Sequence, residues 1–166
     1  MQNNSLSKLN VSSSAFNEGS LIPPKYTFDG ENISPEISWS GAPKETKYFV
    51  IIMEDPDIPI PKFLISTWVH WIVYNIPSEM TSILSAQPDS ETLSNGIKQG
   101  KTSFMKTGYK GPKPPFGTHR YFFKVYALDK AIDLAPKKTS KKKLMKAMEG
   151  HVLAKGKLMG RYKRQK

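Results

Sequence analysis

Asp55 and Asp57 stand in the run Asp55-Pro56-Asp57-Ile58-Pro59, directly behind Phe49–Met53, an apolar stretch suited to a buried strand. Two carboxylates fixed by prolines at a strand end can orient an imidazole or accept a ligand ammonium. An ordinary turn is built from the same residue types. His70 lies in Trp68-Val69-His70-Trp71, inside the run Ser66–Ile76 (STWVHWIVYNI). A histidine desolvated between tryptophans needs partners for both ring nitrogens, a need shared by core histidines and ligand-binding ones. The period-two rule predicts Trp68, His70, Ile72 and Tyr74 on one face of that strand, and Val69, Trp71 and Val73 on the other.

A third stretch, Gly108–Tyr121 (GYKGPKPPFGTHRY), runs stiffened by glycine and proline into a strand that points His119, Tyr121 and Phe123 one way, Arg120 and Phe122 the other. Gly117 would let a ligand approach the backbone, as in an anion cradle, and a structural hairpin uses the same residues. Imidazole N–H, phenol O–H and backbone N–H groups are donors suited to phosphate or carboxylate oxygens. A carboxylate beside a histidine would favour its protonated form and tighten anion binding at lower pH.

These groups need strands to hold them. Candidate strands are Asn32–Trp39, Lys47–Met53, Ser66–Ile76 and His119–Leu128. The second is apolar enough throughout to be covered on both faces. A helix is predicted after a Thr139 or Ser140 cap, with Leu144, Met148 and Val152 as its apolar stripe and Gly156 ending it. A second short helix is expected around Glu79–Ala86. The 13 prolines and 11 glycines fit many turns between short strands, and 18 aromatics supply the packing units of a core. The 166 residues fit one domain, expected over 13–166 behind a flexible polar arm at 1–12.

Without cysteine, thiol catalysis, disulfides and zinc–thiolate sites are excluded. Met1–Ser14 has no apolar core of signal-peptide length, and Phe63–Tyr74 is too short and too polar to span a bilayer, so a cytoplasmic protein is expected. Residues 1–136 balance 13 basic against 13 acidic side chains, whereas residues 137–166 hold 12 Lys and Arg and only Glu149, so they carry the whole net charge of +11. Aromatics do not alternate with those lysines as base stacking would require, so a solvated helix face and tail is preferred to a specific nucleic-acid partner. There is no Gly-x-Ser-x-Gly elbow or His-Glu-x-x-His helix, and His70 and His119 are 49 positions apart. The expectation is a binding protein, not an enzyme, with neither metal nor cofactor.

The ordered set of Asp55–Pro59, Trp68–Trp71, Asn75-Ile76-Pro77, Gly108–Pro112 and Gly117–Tyr121 resembles the phosphatidylethanolamine-binding, or Raf-kinase-inhibitor-like, family. Ser34–Trp39 with the following Ser-Gly-Ala-Pro, and Glu149–Ala154, are similar to its short bacterial and archaeal branch. The resemblance runs from about Ser13 to Tyr162. It implies a mainly β fold, a large antiparallel sheet packed against a smaller one with one or two peripheral helices. It also implies a pocket at one end of the sheet for phosphate-like anions or phospholipid head groups. Asp55, Asp57, Trp68, His70, Pro114, His119 and Tyr121 match the pocket positions. Lys113 departs from the cysteine common there in prokaryotic relatives, and the C-terminal helix that covers the pocket in animal members has no counterpart. The family further implies regulation of a kinase pathway or inhibition of a serine protease as roles. Phe63-Leu64 or Lys113–Phe116 would be the inhibitory segment. Pairing into a homodimer is a further expectation.

Overall fold

The protein is described here by a computed structural model covering residues 5–165. Nine strands and one helix follow in order: β1 (Ser7–Lys8), β2 (Asn10–Ser12), β3 (Ile37–Ser40), β4 (Tyr48–Asp55), β5 (Trp68–Pro77), β6 (Ser82–Ile83), β7 (Lys98–Gln99), β8 (His119–Leu128), α1 (Lys141–Met148) and β9 (Val152–Tyr162). They build a six-stranded sheet in the order β1-β9-β8-β4-β5-β7 and a three-stranded sheet β2-β3-β6. All pairings are antiparallel except β1 on β9.

The large sheet is covered on both faces, which is why β4 reads as an unbroken apolar run. Phe49, Ile51 and Met53 join Trp71, Tyr121 and Phe123 in the layer shared with Ile37, Trp39 and Ile83 of the small sheet. Val50 and Ile52 point the other way, toward Leu144 and Met148 of α1. The α1 N-cap is Ser140, whose side-chain oxygen accepts from the Lys143 N–H. Its dock to the sheet is ionic as well as apolar: Lys141 and Lys124 both grip the carboxylate of Glu54 on β4, with the Thr67 hydroxyl donating to the same group at 2.8 Å.

Three expectations change. The arm expected at 1–12 pairs into both sheets from Ser7 onward; residues 1–4 lie outside the described residues. The helix stops at Met148 rather than Gly156, because Gly150 takes a left-handed φ of 78° and turns the chain into β9. Gly156 lies within β9, where a Cβ would sit 2.2 Å from the Leu9 carbonyl oxygen, so only glycine lets the N-terminal segment pass. The segment Glu79–Ala86 forms a turn and the short β6, because Ile83 pairs with Ile37 rather than closing a helical turn.

Candidate functional site

Asp55 ends β4 and pairs in register with Trp68 at the start of β5. On the other flank of β4, β8 begins at His119, so the two loops and the two histidines meet at one end of the large sheet. The alternation expected along β5 reverses at a bulge near its start. Met53 pairs with Trp71 but Glu54 pairs with Val69, leaving His70 as an extra, bulged residue. Val69 thereby packs with the layer under α1, while His70 leaves the Ile72 and Tyr74 face and turns to the side occupied by Tyr121. The bulge brings the two histidines to the same phenol: the Tyr121 ring lies 5.2 Å from His70, edge to face, and 6.5 Å from His119, stacked.

Each imidazole is fixed through Nδ1. His70 Nδ1 donates to the Lys110 carbonyl at 2.6 Å, and a carbonyl only accepts, so the tautomer is set. His119 Nδ1 donates to Asp55 Oδ2 at 2.7 Å, while Asp55 Oδ1 accepts the Asp57 backbone N–H at 2.7 Å. No protein group among the described residues engages either Nε2, so these two atoms are the site's uncommitted nitrogens. Burial holds His70 down to about 4, against the opposing pull of the Lys110 carbonyl and Asp55. At His70 desolvation therefore outweighs the carboxylate's pull, and the ring is neutral at pH 7. Burial, with Asp55 second, pushes the Tyr121 phenol well above its usual range, so it stays a donor.

The other expected residues divide. Asp57 does not reach toward the imidazoles; Arg120 holds it with Nε at 2.9 Å, a terminal guanidinium nitrogen at 2.8 Å and its own backbone N–H at 2.8 Å. That grip, led by the guanidinium hydrogen bonds, lowers the Asp57 carboxyl below its ordinary value. Trp68 stands edge-on to Phe104 at 5.6 Å, and Phe104 in turn lies 5.3 Å from His70. Pro114 is buried in the 108–118 loop, and Gly117 is exposed there with a φ of 71° and nothing within 4 Å of where a Cβ would be. The left-handed turn alone accounts for that glycine.

Sequence reasoning passed over Phe104, Arg120 and Asn32. Phe104 continues an aromatic wall to Phe28 at 5.9 Å, and the Lys113 ammonium sits 5.4 Å over the Phe28 ring. Asn32 accepts the Gly111 N–H at 2.8 Å, fixing the loop whose Lys110 carbonyl orients His70. A lone phenylalanine in the polar run Lys101–Thr107 was the one available signal. Among the described residues no three His, Asp or Glu side chains converge as a metal would require. A recess of about 680 Å³ opens elsewhere, along β9, and holds none of these residues, so converging polar groups rather than volume mark the site.

The Asp55–His119 pair invites a direct test. His119→Ala strands a buried carboxylate with one donor fewer, at an expected cost of about 2 kcal/mol. Adding Asp55→Asn should recover part of the loss, because the neutral amide needs less compensation. Denaturant unfolding of the two single variants and the double variant reads this out; a double variant less stable than His119→Ala would refute the pairing.

The arrangement of motifs along the chain has a counterpart in known proteins. The family model described as phosphatidylethanolamine-binding protein matches residues 12–163. The chain belongs to that family. This phosphatidylethanolamine-binding protein relative is 46% identical over 156 residues to a UPF0098 protein of Methanothermobacter thermautotrophicus, covering 94% of this chain and 99% of the relative. The crystal structure of a phosphatidylethanolamine-binding protein homologue from Chlamydia trachomatis shares the fold at a TM-score of 0.84 with 35% identity, covering 96% of this chain and 99% of that one. The structure of E. coli YbcL matches at a TM-score of 0.85 with 29% identity, covering 96% and 100%. Among the described residues no helix is long and apolar enough to cross a membrane.

Proposed function

We propose that the chain is a non-catalytic binding protein that takes a phosphate-like anion or phospholipid head group at the Nε2 atoms of His70 and His119. The carrying observation is the bulge at His70, which gathers two Nδ1-anchored imidazoles around one protonated phenol. In the neutral state Nε2 of His70 is an acceptor, so the ligand must bring a proton to it. A monoprotonated phosphoryl group does so through its P–OH, and the ammonium of phosphoethanolamine does so through N–H. The Tyr121 O–H supplies a donor for the remaining oxygens. Modulation of a kinase pathway would follow from capture of a phosphorylated partner at the same atoms.

Sulfate tests this chemistry, since it matches phosphate in shape but carries no proton near neutrality. Calorimetric titration at pH 6 is expected to show phosphate binding at least about tenfold more tightly than sulfate, a difference of about 1.4 kcal/mol. Equal affinities would mean that Nε2 of His70 does not accept from the ligand.

A second reading is favoured by one feature. Phe63 and Leu64 are 86% and 65% exposed at the tip of a turn closed by the Leu64 N–H on the Pro61 carbonyl. Such a displayed apolar pair suits insertion into the specificity pocket of a serine protease, as an inhibitory loop would require. Incubation with a chymotrypsin-type protease separates the outcomes: stoichiometric loss of protease activity with an intact loop supports inhibition, and prompt cleavage after Phe63 opposes it.

A further inference from the structure

The basic excess of the last thirty residues is not all tail. Residues 152–162 form β9, and its register on β1 and β8 sets lysines side by side across three strands. Lys8 lies opposite Lys155, Lys155 opposite Tyr126, and Lys157 opposite Lys124. Like charges directly opposite on a sheet destabilise it, and no carboxylate offsets this arrangement for three of the four. Lys124 is neutralised by Glu54, whereas Lys8, Lys155 and Lys157 are exposed and have no acidic partner among the described residues. They line the recess of about 680 Å³, whose one acidic residue, Glu18, already accepts the Met159 N–H. A second recess of about 280 Å³ shares Lys124 and Lys157 and continues to Arg120.

The edge of β9 away from β8 is covered on either side of the lysines. Its odd-numbered residues face away from β8: Lys155 accepts from the Leu9 N–H, Met159 from Gly19, and Arg161 exchanges bonds with Ser20 and Ile22. Lys155 and Lys157 line the recess beside these partners.

We propose that this groove is a binding site for a short linear chain of phosphate groups, separate from the histidine site. From Tyr126 to Arg120 it runs about 20 Å along β8, long enough for several linked phosphates. The lysines supply point charges on flexible stems. Single-stranded nucleic acid would need open aromatic faces. Tyr126 is buried, and the Phe122 ring already carries Arg120 at 5.5 Å and Lys157 at 5.3 Å, so the groove offers charge without stacking platforms.

Tripolyphosphate is the probe, titrated calorimetrically into the full chain at about 0.15 M salt, where diffuse surface attraction is screened. Saturable binding is expected, weakened at least about tenfold by Lys8→Ala/Lys155→Ala and unchanged by Lys142→Ala/Lys146→Ala on α1. The ligand-free Lys8→Ala/Lys155→Ala variant should melt no lower than the parent, because it relieves repulsion; a purely structural role for these lysines predicts a lower melting point. Absence of saturation, equal loss in the α1 variant, or tighter binding of a single-stranded oligonucleotide than of tripolyphosphate would overturn the proposal.

Discussion

Glu54→Ala is expected to cost about 3 kcal/mol of folding stability, the low end of the range for breaking a buried ion pair by deleting one partner. The Glu54 side chain is 1% exposed and is the common anchor of Lys124, Lys141 and Thr67, joining β4, β8, the 58–67 loop and the first residue of α1. The low end applies because Lys124 and Lys141 are 35% and 28% exposed, so their ammonium groups reach water once the carboxylate is gone. Burial by itself would raise the Glu54 carboxyl, but the hydrogen bonds from Lys124 and Lys141 outweigh it and hold the group below its ordinary value of 4.5. A carboxyl depressed in the folded state contributes fully above its unfolded value and loses that contribution as pH falls through the folded one. The acid limb below pH 4.5 should therefore flatten in Glu54→Ala. Urea unfolding across pH checks both parts; a loss under about 1 kcal/mol at pH 7 would mean the cluster is solvated, like an exposed ion pair.

A larger acid effect is expected from His70. Its ring is buried and held at about 4 against an unfolded value of 6.5. Between those values the unfolded chain binds the proton and the folded chain does not, so stability rises with pH across that window. The gap corresponds to about 3 kcal/mol lost between pH 7 and pH 4, a large share of a small domain's stability. His70→Gln retains a donor for the Lys110 carbonyl without a titrating ring, so its stability should vary far less between pH 6.5 and 4. Parallel pH profiles in that interval would refute a neutral buried His70. Histidine and Glu54 losses are separable because the first begins near 6.5 and the second below 4.5.

The sequence made the sheet's centre legible because its signals are local. The apolar run Phe49–Met53 needs cover on both faces wherever it lies, and β8 alternates buried with more open positions from His119 to Lys124 before running fully buried to Leu128. β9 was less visible. Its inward positions Ala154, Leu158 and Tyr162 alternate with Gly156 and Gly160, and glycine weakens a strand signal. The reason for those glycines is long-range: the Leu9 backbone crosses Gly156, and Ile22 and Phe16 crowd Gly160. The basic content of this stretch then read as tail or helix rather than as rungs of a sheet.

The site's chemistry was legible and its geometry was not. Asp55, His70, His119 and Tyr121 were identifiable as donors and acceptors at loop–strand junctions. The bulge that turns His70 toward Tyr121 arises from pairing between β4 and β5, and the run STWVHWIVYNI alternates without any local mark of it. Asp57 carried the same residue type as Asp55, yet Arg120 beside His119 captured it through three hydrogen bonds. The sign of the His70 shift was likewise a contest between a neighbouring carboxylate and desolvation, and burial depth settled it.

The anion-binding account is tested most directly by NMR titration with phosphate and then phosphoethanolamine, following the ring signals of His70 and His119 at pH 6, with His70→Ala alongside. Saturable shifts of both rings, with Nδ1–H of His70 retained and the response abolished in His70→Ala, are the result predicted. Unmoved signals up to millimolar ligand, or shifts at His119 that persist unchanged in His70→Ala, would contradict a site built from both imidazoles.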